Sequence, residues 1–137
     1  MTTFVDTSAF YAAADRGDVS HARAKAVLGE QAGLVTSDHV LVETWTLLRH
    51  RLSRTAATTF WSGLRAGVAT VEIVGAADLE SAWNIGDAFP DQDFSLVDRT
   101  SFGVMQRLGV HRVVTFDDDF TIFRFGPRRE RAFEVIS

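Results

Sequence analysis

Four short phrases each end an apolar run on a carboxylate: Phe4-Val5-Asp6-Thr7-Ser8, Leu41-Val42-Glu43, Ser95-Leu96-Val97-Asp98 and Thr115-Phe116-Asp117. Apolar neighbours bring an acid close to buried structure, where an unpaired negative charge is costly. No lysine accompanies these acids, since Lys25 is the only one in the chain. The partner that would satisfy them together is a divalent cation. Oxygen donors without histidine or cysteine select magnesium or manganese over zinc. The chain has no cysteine. His21, His39, His50 and His111 show no metal-ligand spacing and read as surface or packing residues.

Each acid also has a plainer reading. Asp6 can cap the helix that follows it or close an Asx-turn, although the hydroxyls of Thr7 and Ser8 are better placed as caps. Glu43 lies mid-helix with Leu47 at i+4, where a surface glutamate usually has a basic neighbour. Pairing with His39 at i−4 is its structural alternative. Ser95-Leu96-Val97-Asp98 matches a capping box, in which the acid reaches back to the N-cap amide. Asp117-Asp118-Asp119 reads as a solvated turn, but Phe120 ties its far end to the core.

The elements that must hold these acids alternate short β-type runs with helical stretches, as expected of an α/β fold with a mainly parallel sheet. Strands are expected at residues 3–5, 34–36, 71–74 and 113–115, with a fifth from the tail at 133–136. Helices are expected at 8–14, 21–28, 38–52, 54–66, 78–87 and 95–108. Leu41, Trp45, Leu48 and Leu52 mark one apolar face of the 38–52 helix, and Val97, Ser101, Val104 and Leu108 one face of the 95–108 helix. Asp6 and Asp117 then follow strands, and Asp98 opens a helix. Ligands of open parallel sheets bind outside the carboxyl ends of the strands, so these three acids can meet in one crevice.

With 137 residues, 46% of them hydrophobic, the chain fits one domain, 1–137, with a substantial core. It carries no apolar run long enough to span a membrane and no secretory signal pattern, which agrees with a cytoplasmic protein. Net charge is −4, yet thirteen of its fourteen basic residues are arginine, the better bidentate ligand of phosphate. Arginines cluster at Arg49, Arg51 and Arg54, and again at Arg124, Arg128, Arg129 and Arg131. Such runs also occur as plain solvated surface.

Taken in order, the four acidic phrases resemble the PIN domain, and within it the VapC type, the ribonuclease toxins of bacterial toxin–antitoxin pairs. The resemblance covers essentially the whole chain. It implies a three-layer α/β/α sandwich with a four- to five-stranded mainly parallel sheet. It also implies hydrolysis of RNA phosphodiester bonds with Mg²⁺ or Mn²⁺. Asp6, Glu43, Asp98 and Asp117 match the family's acids, with Asp6, Asp98 and Asp117 as metal ligands and Ser8 and Asp119 as accessory residues. A cognate VapB-like antitoxin and a homodimer are further implications. Tyr11, Trp45 and Leu48 are candidates for an apolar antitoxin groove, although stripes of this kind are usually core. Arg49, Arg51, Arg54 and Arg99 are the candidate RNA contacts. The scarcity of lysine departs from the basic surface expected of an RNA binder.

Two rival readings keep the fold class and change the chemistry. One is a non-catalytic PIN-like module that binds RNA or metal. The other is a receiver-like phospho-acceptor, which needs a second acid beside Asp6 and a lysine late in the sheet. Thr7-Ser8 and the early Lys25 do not supply them.

Overall fold

A computed structural model describes residues 1–137. In chain order the elements are β1 (Thr3–Val5), α1 (Thr7–Ala14), α2 (His21–Glu30), β2 (Leu34–Ser37), α3 (Asp38–Arg51) and α4 (Arg54–Arg65). They continue with β3 (Thr70–Glu72), α5 (Ala76–Ala88), α6 (Leu96–Leu108), β4 (Arg112–Val114), α7 (Asp119–Ile122) and β5 (Glu134–Ile136). The five strands form one sheet in the order β3-β2-β1-β4-β5, and every pairing is parallel. The chain runs outward from β1 to β3, then returns to lay β4 on the other side of β1. The junction of β1 and β4 is therefore the topological switch point, where the connections part and leave a crevice.

Two positions break from helix and sheet where the sequence says they should. Gly109 ends α6 with φ +67, and Gly33 turns into β2 with φ +66, a conformation that glycine adopts without a Cβ penalty. The central strands are short but fully buried: Phe4, Val5, Val113 and Val114 are inaccessible to solvent. Such strands read as continuous apolar runs because both faces are covered.

Several local expectations need correction. The third strand ends at Glu72 rather than continuing to Val74, because the Val74 amide leaves the ladder to donate to Asp38 Oδ1 at 2.9 Å. Helix α5 begins at Ala76, with Gly75 as its N-cap and Asp78 accepting from the Gly75 amide. In α3 the buried face is Val40, Thr44 and Leu48, one step round from the expected stripe, and Leu52 is exposed at the helix end. Helix α6 is buried on more than one side, from Thr100 through Met105. Its Gly103 sits where a Cβ would lie 3.2 Å from that of Ser81, so α5 and α6 approach closely.

The segment connecting β4 to β5 packs its phenylalanines against Phe102 of α6, a wedge that the sequence pattern does not announce. Phe102 and Phe123 stack with centroids 4.3 Å apart, and Phe125 and Phe133 stack at 4.9 Å. Phe120, at the foot of the Asp117-Asp118-Asp119 loop, is inaccessible to solvent and meets Phe102 edge-on. Offset and edge-on ring pairs add about 0.5–1.5 kcal/mol each beyond their buried area.

An ion pair holds α5 to α6. Arg107 donates to both oxygens of the buried Asp78, at 2.8 and 3.0 Å, and this holds the Asp78 carboxyl below its usual range. The guanidinium faces water, so the expected cost of Arg107→Ala is about 1–2 kcal/mol, less than a fully buried pair would show. Urea denaturation would measure it, and the loss should shrink as Asp78 protonates in acid. No helix is long and apolar enough to cross a membrane.

Candidate active site

The acids are positioned by the backbone ladder of the switch point. The Asp6 amide donates to Val114 O at 3.1 Å and the Thr115 amide to Ile136 O at 3.2 Å, so the sheet's hydrogen bonding continues one residue past β1 and β4. Asp6 is 2% exposed. Its Oδ2 accepts from Thr115 Oγ1 at 2.9 Å and from Ser8 Oγ at 3.0 Å. Burial pushes its carboxyl up to about 6, against the pull of these hydroxyls and the Thr7 amide.

Neither Thr7 nor Ser8 caps α1 with its hydroxyl. Asp6 itself is the N-cap residue, and its carbonyl accepts from the Ala9 and Phe10 amides. The Ser8 hydroxyl is drawn instead across the switch point, where it accepts from the Phe116 amide at 2.9 Å. Thr115 Oγ1 accepts in turn from the Asp117 amide at 3.0 Å, and Asp117 Oδ1 from the Asp119 amide at 2.9 Å. A chain of hydroxyls and amides thus ties Asp6 to the loop that carries Asp117 and Asp119. Thr115 is the member that sequence reasoning missed. Its place inside the Thr115-Phe116-Asp117 phrase was the available signal.

Asp98 reaches the same place from α6. Ser95 Oγ accepts from the Asp98 amide at 3.0 Å, which is half of the expected capping box. The other half is absent: the Asp98 carboxylate joins the acids rather than turning back to the Ser95 amide. It is 6% exposed, and its carboxyl rises to about 8. Burial is the first cause, followed by contact with the Asp119 carboxylate and the charges of Asp6 and Asp117. Burial, with Asp119 and Asp118 beside it, also raises Asp117.

Carboxylate oxygens of Asp98, Asp117 and Asp119 lie within 4.8 Å of one another. Asp119 therefore stands in the tightest cluster, and Asp6 just behind it. All four, with Glu43 and Ser8, line a cavity of about 620 Å³. Glu43 does not pair with His39, whose Nδ1 meets Thr100 Oγ1 at 3.1 Å. An oxygen-only cluster whose charges repel and resist ionisation is the donor set that a hard divalent cation fits.

The arginines divide. Arg51 lines the cavity, with its guanidinium 5.2 Å from the centroid of the Tyr11 ring. Arg99 folds away, donating to Phe94 O at 2.9 Å and lying over Gly86, while Arg49 and Arg54 lie outside the cavity. Leu48 is inaccessible to solvent and packs with Tyr11 and Ala57 in a small second core, with Trp45 half-buried against it, while Tyr11 also lines the acidic cavity.

The PIN-domain family model matches residues 3–126, nine-tenths of the chain. This chain belongs to the PIN-domain family. Among curated PIN proteins it is 39% identical over 123 residues to the 23S rRNA-specific endonuclease VapC20 of Mycobacterium tuberculosis, covering 89% of this chain and 94% of the relative. The crystal structure of that VapC20, described as a sarcin–ricin loop cleaving toxin, superposes with a TM-score of 0.83 at 37% identity, covering 89% of this chain and 94% of that one. The PIN fold recurs at 11% identity in VapBC2 of Rickettsia felis, bound to a DNA fragment of its promoter. There the TM-score is 0.69, with 99% of this chain and 98% of that one covered. A toxin–antitoxin complex from Klebsiella pneumoniae shares the fold at a TM-score of 0.63 and 11% identity, with 98% and 96% covered. Membership of the PIN family rules out the receiver-like reading, and Lys25 lies on α2, away from the acids.

Proposed function

We propose that this PIN-domain protein is a metal-dependent endoribonuclease and the toxin of a VapBC-type pair, acting in the cytoplasm. The observation that carries the reading is the convergence of Asp98, Asp117 and Asp119 within 4.8 Å, on a cavity shared with Asp6 and Glu43. Asp6, Asp98 and Asp117 are the proposed ligands of Mg²⁺ or Mn²⁺, with Asp119 beside them. Such an ion, when bound, lowers the pKa of water and offsets charge on phosphoryl oxygens.

The chain's own groups supply orientation and proton handling. Ser8 and Thr115 fix Asp6 by donating to its Oδ2. Glu43, on the cavity wall, orients the attacking water and accepts its proton. Water adds to phosphorus in line with the 3′-oxygen as the phosphorus–O3′ bond breaks, and the departing oxygen takes up a proton from bulk water while Glu43 returns its own to solvent. The products are a 3′-hydroxyl and a 5′-phosphate. The 39% identity to VapC20 supports 23S rRNA, at its sarcin–ricin loop, as the substrate. A VapB-like antitoxin partner and a homodimer belong to the same reading.

Primer extension on ribosomes incubated with the purified protein tests it. One cut in the sarcin–ricin loop is expected with Mg²⁺ and none with EDTA. Intact rRNA with another cellular RNA cut would move the substrate, and no cut in ribosomes or in total RNA at any Mg²⁺ concentration, from protein shown to be folded and free of antitoxin, would leave only the non-catalytic binding module. Thr115→Val should lower the cleavage rate by about 10–100-fold, the usual cost of losing a ligand's supporting hydrogen bond. It should also move the acid limb of the pH–rate profile upward, because the lost hydroxyl stabilises ionised Asp6.

A further inference from the structure

Helix α4 buries Ala57 and Leu64 and turns an entirely different face outward. Arg54, Thr58, Trp61, Ser62 and Arg65 follow one another at helical spacing on that face. Together with Trp45 of α3 they enclose a groove of about 500 Å³. Its lining is two indoles, two guanidiniums and two hydroxyls, with no carboxylate. In a chain of net charge −4 such a surface is anomalous. The cations are also unspent. The ion pairs of the molecule involve Arg107 and Arg112, and its cation–π contacts involve Arg51 and Arg129. Trp61 is 47% exposed, and its ring packs on no other aromatic.

Flat rings beside free guanidiniums suit a ligand that combines aromatic faces with phosphates. Unpaired nucleotides meet that description, since bases stack on aromatic side chains while arginines hold the backbone. We propose that the α3–α4 groove is a second RNA-binding site, which takes unpaired nucleotides of the substrate RNA outside the cleavage cavity. RNA is chosen as the ligand on the ribonuclease reading above. The placement agrees with it: Glu43, Leu47 and Arg51 face the cavity from one side of α3, and Trp45 faces the groove from another. About 10 Å, the thickness of one helix, separates the two. Arg51 and Arg54, at the corner between α3 and α4, mark the path from cavity to groove.

The test places Trp61→Ala and Arg65→Ala together in the Asp98→Asn protein. Binding of a fluorescein-labelled stem-loop RNA with unpaired loop purines is followed by anisotropy in EDTA across a range of salt. Loss of one stacked base and one phosphate contact should raise Kd about tenfold or more. It should also reduce the slope of log K against log salt by about 1. Trp61→Phe should recover most of the affinity, and RNA should quench the tryptophan fluorescence of the parent protein. An unchanged Kd and salt slope in the double variant, with its thermal transition intact, would overturn the proposal. So would loss of antitoxin binding with RNA affinity intact, which would give the groove to a protein partner. If the otherwise unaltered protein binds RNA through the groove but cleaves nothing, the groove stands and the nuclease reading falls.

Discussion

Asp98→Asn is expected to reduce RNA cleavage by about 10³-fold or more while leaving the metal-free protein at least as stable as its parent. The first half follows from charge. Losing one anionic ligand removes several kcal/mol of transition-state stabilisation, and each 1.36 kcal/mol is a factor of ten. The second half follows from repulsion. Asp98 is buried against Asp119 and within the fields of Asp6 and Asp117, and its carboxyl resists ionisation for that reason. Asparagine keeps the shape and the Ser95 cap, which uses the backbone amide, and removes the unfavourable charge. The melting-temperature gain produced by Mg²⁺ should shrink in the same variant by linkage. Cleavage assays and differential scanning fluorimetry with and without EDTA check both halves. A variant that cleaves at the parental rate, freed of contaminating nuclease, would remove Asp98 from the chemistry.

The second large effect is an inverted pH dependence of stability. In the folded, metal-free protein burial and neighbouring carboxylates push the carboxyl of Asp6 up to about 6 and that of Asp98 up to about 8, well above the ordinary aspartate value of 3.8. Between these limits the folded chain binds more protons than the unfolded chain. Stability from these groups is therefore complete below about pH 4 and is lost as pH rises through 6 and then 8. The loss across pH 5 to 8 is on the order of a few kcal/mol, or roughly 5–10 °C in melting temperature. Mg²⁺ should oppose the decline and add most at pH 8, where protons no longer compete for the carboxylates. A melting temperature in EDTA that is flat or rises from pH 5 to pH 8 would contradict the close packing of these acids.

Three of the acidic phrases were legible because they sit where a strand or helix begins or ends, and those boundaries are written in short apolar runs and cap residues; Glu43, inside α3, showed only by its apolar neighbours. Asp6 after Val5 and Asp98 three residues past Ser95 are local facts of sequence. What stayed hidden is what the third dimension adds. That Ser8 would reach the Phe116 amide, 108 residues on, depends on β1 lying beside β4. Asp119 entered the cluster because the short α7 turns its first residue towards Asp98, and four residues are too few to show a helical period. The buried face of α3 lies one step from its leucine stripe because Thr44 is buried with Val40 and Leu48, and a threonine carries no hydrophobic signal. The arginines were least legible of all: Arg51 and Arg99 look alike in sequence, yet one lines the cavity and the other is folded over Gly86.

The phenylalanine wedge gives the acid cluster an unyielding floor. Phe120 anchors one end of the Asp117–Asp119 loop, and β4 holds the other. Carboxylates mounted this way have little room to splay apart when they ionise. Their mutual strain must then be felt by the whole domain and not dissipated by fraying of one loop, so that loading the site tightens amide protection in β1 and β4 together.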